Sequence, residues 1–84
     1  MHSKVKIKQP KIVHRELEDA LGLATQSDFE IEIDPRQKSR EYLNTLIHEM
    51  LHCFLPDLSE RSITRLADIM SDEIWKKRFR RIKT

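Results

Sequence analysis

The sequence predicts a small α+β domain that spans residues 1–84 as a single unit. Short stretches that alternate apolar with charged residues predict β-strands, and longer stretches with apolar residues at helical spacing predict amphipathic helices. No internal repeat, linker or low-complexity segment interrupts the chain. A domain of this size buries only about two thirds of its unfolded surface, so a bound metal or a partner could contribute to its stability.

The first half of the chain predicts a strand, a helix and a second strand. Residues 4–8 alternate lysine with valine and isoleucine, which is typical of a short half-buried strand. Residues 13–24 carry apolar side chains at helical spacing, and Gly22, the only glycine, favours a helix end there. Residues 29–34 alternate apolar and acidic side chains, a pattern that predicts a strand with one apolar face.

The second half predicts two helices joined by a short turn. From about residue 39, apolar residues form a helical stripe that ends before Pro56. Ser59 is a good N-cap for the next helix, whose apolar stripe continues to Ile74. The predicted order of elements is therefore strand, helix, strand, helix and helix.

The first of these two helices contains the sequence His48-Glu49-Met50-Leu51-His52. Side chains four residues apart lie one helical turn apart, so both imidazoles can reach one ion at about 2.0 to 2.1 Å. The histidines lie opposite the apolar stripe, and Glu49 lies at their flank, where it could take a proton from a metal-bound water. The sequence thus predicts metal ligands at His48 and His52 with Glu49 as general base. The alternative is an exposed helix face that carries two titrating histidines.

A catalytic zinc usually has three protein ligands and one open position, so a third ligand is expected. Glu60 is the preferred candidate, because the turn at residues 56–59 can fold the last helix back toward the histidines. Its alternative role is to complement the helix dipole. Asp57 is the rival ligand, although it could instead stabilise the turn. Cys53 points away from the histidines on an ideal helix and is expected to be a buried thiol.

Charge and composition limit the classes of protein and the compartment. The net charge of +2 is too balanced to indicate nucleic-acid binding by itself. No apolar run approaches the roughly 18 residues of a membrane span, and the N-terminus lacks the apolar region of a signal peptide. The single Cys53 excludes an internal disulfide framework. We therefore expect a soluble, cytoplasmic protein with no membrane contact, and its oligomeric state stays open.

Basic side chains crowd the C-terminus of the chain. They are Lys76, Lys77, Arg78, Arg80, Arg81 and Lys83. Such residues can end a helix favourably and solvate a tail, or they can contact a nucleic acid or another acidic surface.

Residues 30–75 resemble the small gluzincin-like zinc metallopeptidases, often called minigluzincins, and related short HExxH proteins of phages and prokaryotes. The resemblance depends on the stretches IEIDPR, REYLNTLIHEMLH and PDLSERSITRLADIM. It implies a zincin-like fold, in which a short β-sheet packs on an active-site helix and a C-terminal helix carries a glutamate ligand. The zinc ligands of that family match His48, His52 and Glu60. Its general base matches Glu49.

The resemblance implies a zinc metalloendopeptidase that acts on a peptide or protein substrate. In zincins an edge strand above the active-site helix pairs with an extended peptide, and residues 29–33 are the strand expected to do so unless that strand is purely structural. The chain departs from large gluzincins in the shorter gap from His52 to Glu60 and in having no separate C-terminal subdomain. One alternative is a non-catalytic, zinc-stabilised module that binds protein or nucleic acid through its basic tail. Another is a latent enzyme whose tail occupies the cleft.

Overall fold

The computed structural model describes residues 7–79, which form three short strands followed by two helices. The elements are β1 (Lys11–His14), β2 (Gly22–Thr25), β3 (Glu30–Ile33), α1 (Ser39–Phe54) and α2 (Glu60–Lys76). The predicted α+β class is confirmed, with one sheet and two helices in a single compact unit. Within residues 7–79, neither helix has the length and apolar character needed to cross a membrane.

The sheet has β3 at its centre, with β1 on one side and β2 on the other. β1 runs parallel to β3, whereas β2 and β3 form an antiparallel hairpin. The hairpin turn closes through a hydrogen bond from the Phe29 N–H to the Gln26 carbonyl, with Phe29 at a φ of 51°. This order leaves β1 and β2 as the edge strands of the described sheet.

The first half of the chain differs from the predicted order of elements. Residues 13–24, predicted as a helix, instead form the end of β1, a loop and β2. The apolar spacing fits a helix, but β2 gains backbone hydrogen bonds to β3 and packs Ala24 against the core. Gly22 is the first residue of β2, and the absence of a Cβ atom there lets the strand lie against Thr45 and Glu49 of α1.

The strand predicted at residues 4–8 lies mostly outside the described residues. Of that segment the structure describes Ile7 and Lys8, which have no regular secondary structure. The first strand of the described residues, β1, begins at Lys11, directly after Pro10. Proline has no N–H to donate to a sheet ladder. Pro10 is therefore compatible with a strand that ends before it, as predicted, and with a strand that begins after it, as observed.

The hydrophobic core lies between the sheet and α1. Ile31 and Ile33 of the central strand are fully buried, and Tyr42 and Cys53 of α1 pack against them. Partly buried apolar residues surround this cluster, namely Ala24, Phe29, Leu46 and Met50. The predicted apolar face of the strand at Ile31 and Ile33 is confirmed, as is the burial of the Cys53 thiol.

The second helix packs along α1 on a side that the sheet does not cover. Ile63 and Ala67, one turn apart, are fully buried in α2. Next to them the side-chain amide of Asn44 donates to Asp68 Oδ1 at 2.9 Å and to Ser71 Oγ at 3.0 Å. α1 is therefore covered on two sides, by the sheet and by α2.

Asp34 connects the loop before β2 to the segment that leads into α1. Its carboxylate accepts hydrogen bonds from the Arg36 guanidinium at 2.9 and 2.6 Å and from the backbone N–H groups of Leu17 and Arg36 at 3.0 Å each. The side-chain hydrogen bonds from Arg36, followed by these backbone bonds, hold the pKa of Asp34 well below its usual range. The folded state therefore favours the ionised carboxylate.

Replacing the buried Ile31 with alanine should lower the free energy of unfolding by about 2 to 5 kcal/mol, because it removes apolar contacts and leaves a cavity. The matched control is Ile12→Ala on β1, where the side chain is 41% exposed. That control should cost about 1 kcal/mol or less in urea denaturation. Equal losses in the two variants would contradict the assigned core.

Asp34→Asn should lower the melting temperature at pH 7, because the ionised carboxylate stabilises the fold. A carboxyl group whose pKa is lowered by folding contributes stability above its unfolded pKa of about 3.9 and loses it as the pH falls toward the folded pKa. The difference in melting temperature should therefore narrow below about pH 4. Glu18→Gln, which alters an exposed side chain of the same loop, is the control. A difference that stays constant from pH 7 to pH 2 would contradict this role.

Candidate metal centre

His48 and His52 lie on successive turns of α1, at the seam between β2 and α2. A cleft of about 310 Å³ opens at this seam, lined by Gly22, Leu23, Ala24, Gln26, His48, Glu49, His52 and Glu60. The histidine side chains are 18% and 28% exposed, so they are half-buried rather than fully solvated. Thr45, one turn before Glu49 on the same helix, is buried. Helix geometry alone could not predict this burial, because β2, which is distant in the sequence, covers part of the face of α1 opposite the apolar stripe.

The side chains of His48, His52 and Glu60 converge on one point. Their Nε2 and carboxylate atoms all lie within 4.8 Å of one another. The two Nε2 atoms are 3.2 Å apart, and Glu60 lies 3.0 Å from His48 Nε2 and 2.7 Å from His52 Nε2. Ligands about 2.05 Å from a tetrahedral ion are about 3.3 Å apart, so the spacing of the two imidazoles is compatible with a shared metal ion. The 2.7 Å contact has the length of a hydrogen bond and would lengthen around an ion.

The turn between the helices places Glu60 at this point. The Leu58 N–H donates to the Leu55 carbonyl at 3.1 Å, and Pro56 occupies the second position of that turn, which favours proline. The Ser59 hydroxyl then accepts from the Ser62 N–H at 3.1 Å, which confirms Ser59 as the N-cap of α2. Glu60, the first residue of α2, thus faces the histidines.

The structure brings Glu60, and not Asp57, to the histidine pair. Asp57 is exposed in the turn and is not part of the three-residue cluster. Partial burial raises the pKa of Glu60, but attraction to His48 and the hydrogen bond and charge of His52 outweigh that effect and lower its pKa overall. The carboxylate is thereby kept in the ionised form that binds metals.

Glu49 lies at the flank of the cluster, on the side of β2. It is half-buried, and its carboxylate does not join the three potential ligands. Burial raises the pKa of Glu49, while the two histidines lower it and Glu60 raises it, so the net pKa is above the ordinary value. A carboxylate with a raised pKa is a stronger base, as proton abstraction near neutral pH requires.

Cys53 does not take part in the site. Its side chain belongs to the core beneath the sheet, and burial raises the pKa of its thiol. The prediction that Cys53 is a buried thiol is confirmed, and the cluster of possible metal ligands found among residues 7–79 does not contain it.

The β2 side of the cleft was not predicted from the sequence. Gly22, Leu23, Ala24 and Gln26 line it, and the Gln26 side-chain amide donates to the His52 carbonyl at 2.8 Å. The lone glycine was a signal that could have found this strand, because glycine also marks points where two backbone segments approach closely. Because Gly22 was interpreted as a helix end, this close approach was not predicted.

The strand predicted to bind an extended peptide is not the one that lies at the cleft. Residues 29–33 contain β3, which pairs with β1 on one edge and β2 on the other, so neither edge is open to a peptide. Within residues 7–79, β2 pairs on one edge only, and it is the edge strand that lines the cleft.

The basic C-terminal group divides between described and undescribed residues. Lys76 Nζ lies 2.9 Å from Asp72 Oδ2 and 3.8 Å from Glu73 Oε1, which is the arrangement of a solvated helix end. The predicted contributions of Arg80, Arg81 and Lys83 lie outside the described residues.

No protein-family model matches the chain, and neither a curated protein nor a solved structure matches it. The resemblance to minigluzincins therefore stays a prediction. The chemistry of the site has to be inferred from its own residues and distances.

Glu60→Ala should weaken zinc binding at least about 10-fold, because even residues that only support a metal ligand commonly contribute that much. Competition with a chromophoric chelator measures the affinity. Asp57→Ala is the matched control, since its carboxylate lies in the adjacent turn but outside the cluster. A larger loss in Asp57→Ala than in Glu60→Ala would identify Asp57 as the ligand.

Proposed function

We propose that this protein is a zinc-dependent metallopeptidase that hydrolyses peptide bonds. The observation that carries the proposal is the convergence of His48, His52 and Glu60 in a cleft with Glu49 at its flank. Two imidazoles and a carboxylate are a ligand set typical of catalytic zinc in peptidases. A reaction centre explains the convergence of these four side chains in one cleft better than chance does.

The number of ligands favours chemistry over a purely structural metal. Structural zinc sites are usually closed by four protein ligands, whereas catalytic sites have three and an open position. Within residues 7–79 the cluster has three members, and Asp57, the rival candidate ligand, does not join it. When bound, zinc would act as a Lewis acid that polarises the scissile carbonyl and acidifies a water.

Glu49 is the proposed general base and acid. Its carboxylate would take a proton from the attacking water as the new C–O bond forms, and then donate it to the amine as the C–N bond breaks. The products are a carboxylic acid and an amine, so one water is consumed per bond. The half-buried position of Glu49 and its raised pKa support this role.

The proposed substrate is an extended peptide or a flexible segment of a protein. The edge of β2 could add such a segment as a further strand, which provides affinity through backbone hydrogen bonds and little sequence selectivity. A segment bound there would lie in the cleft between β2 and α1, which His48 and Glu49 also line. We also propose a cytoplasmic location, because Cys53, the one cysteine of the chain, is a free thiol.

Glu49→Gln should retain about one zinc per chain and lower kcat by about 10² to 10⁴, because glutamine matches the shape of glutamate but cannot accept the proton. Fluorogenic peptide libraries and an unfolded protein substrate measure hydrolysis, and metal analysis measures zinc. Glu41→Gln in the first turn of the same helix is the matched control, since glutamine preserves its capping role.

Undiminished hydrolysis by Glu49→Gln would remove Glu49 from its proposed role. If the wild-type protein binds zinc tightly and cleaves no substrate, the result would instead favour the non-catalytic module, in which zinc stabilises the fold.

A further inference from the structure

Gly22 lies where β2 comes closest to α1. A Cβ atom at this position would lie 2.7 Å from Thr45 Cγ2, 2.9 Å from Glu49 Cγ and 3.2 Å from Glu49 Oε2. The first two distances are shorter than real Cβ contacts. The φ of Gly22 is not positive, so its backbone conformation is open to any residue. Glycine is therefore needed here for the close approach of β2 to Glu49 and not for a turn.

Buried hydrogen bonds hold β2 at this distance from α1. The side-chain amide of Gln37 donates to the Leu21 carbonyl at 3.2 Å and to the Asp34 carbonyl at 3.0 Å. Its oxygen accepts from the Thr45 hydroxyl at 2.7 Å. Gln37 and Thr45 are only 6% and 7% exposed, so each lost bond would leave a buried polar group unsatisfied. This network links the residue before Gly22 to the residue one turn before Glu49.

The side chain of Glu49 has space to move if it is displaced from this position. A second cavity of about 230 Å³ adjoins it, lined by Leu21, Gly22, Asn44, Thr45, His48 and Glu49. The carboxylate is thus confined by Gly22 on the β2 side and is not enclosed on all sides. Its orientation depends on how closely β2 approaches.

We propose that Gly22 is a positioning residue for Glu49, and that the Gln37–Thr45 hydrogen bond maintains the close approach on which this position depends. The inference rests on the proposed function, because it concerns the geometry of the general base. Displacement of a reacting group by about 1 Å can cost 10²-fold in rate. A single methyl group at position 22 would therefore reduce turnover without altering any of the three metal ligands.

Gly22→Ala should lower kcat by about 10- to 100-fold, because the new methyl group pushes the Glu49 side chain away from the reacting atoms. KM should change by less than about threefold, since the backbone edge of β2 remains, and zinc stoichiometry should be unchanged. Ile12→Ala, on the opposite edge of the sheet, controls for general loosening and should leave kcat within about twofold of the wild type.

Rescue by a second substitution separates positioning from a general loss of structure. Gly22→Ala/Thr45→Ser removes the methyl group that the new Cβ would meet at 2.7 Å and keeps a hydroxyl for Gln37. Its kcat should be several-fold higher than that of Gly22→Ala. If Gly22→Ala does not fold, Thr45→Val provides the test, because it breaks the bond to Gln37 without adding volume. It should lower kcat while zinc stoichiometry is unchanged.

Crystal structures of the wild type and the variants provide a readout that does not require activity. The Glu49 carboxylate should move by about 1 Å relative to His48 in Gly22→Ala. It should return part of the way in the double variant, where the new Cβ can shift into the space left by the Thr45 methyl group. A wild-type protein that cleaves nothing would overturn the proposed function, whereas the positions of Glu49 would still decide the role of Gly22. Wild-type kcat in Gly22→Ala or in Thr45→Val, or an unmoved carboxylate in Gly22→Ala, would overturn the positioning role.

Discussion

The packing of α1 between two neighbours is the constraint on which the rest of the structure depends. The sheet covers one side of α1 through Ile31 and Ile33, and α2 covers another through Ile63 and Ala67. Ala67, a small side chain, is fully buried in this second contact. The histidines of α1 lie between these two contacts, so the position of the site depends on how the sheet and α2 pack on the helix.

Buried polar groups determine how the elements of this small domain are positioned relative to one another. Asp34, Gln37, Thr45 and Ser71 are all buried, and each has a hydrogen-bond partner in another part of the chain. Apolar burial provides most of the stability of a fold but little directional preference. The hydrogen bonds of these four groups have fixed geometry, so they determine where the loop before β2, the start of α1 and the second helix lie relative to one another.

The strand β2 has two functions in this interpretation. Its edge away from β3, unpaired within residues 7–79, is the proposed docking position for an extended peptide. Its first residue, Gly22, limits the position of Glu49 because it has no side chain. One short element would thus align both the substrate and the base. Within residues 7–79 the other wall of the cleft is formed by α1 and the first residue of α2.

The sequence by itself determined the features that depend on local signals. The start of α2 follows from the Ser59 cap, the burial of Ile31 and Ile33 follows from alternation along one strand, and the one-turn spacing of His48 and His52 follows from helix geometry. Tertiary structure decided the rest, because contacts between distant residues outweigh local preference. Strand pairing made β2 from a segment with helical spacing and placed β3 at the centre of the sheet. Only the packing of α2 against α1 brought Glu60, and not Asp57, to the histidines, since the direction of a helix after a turn depends on the surface that it buries.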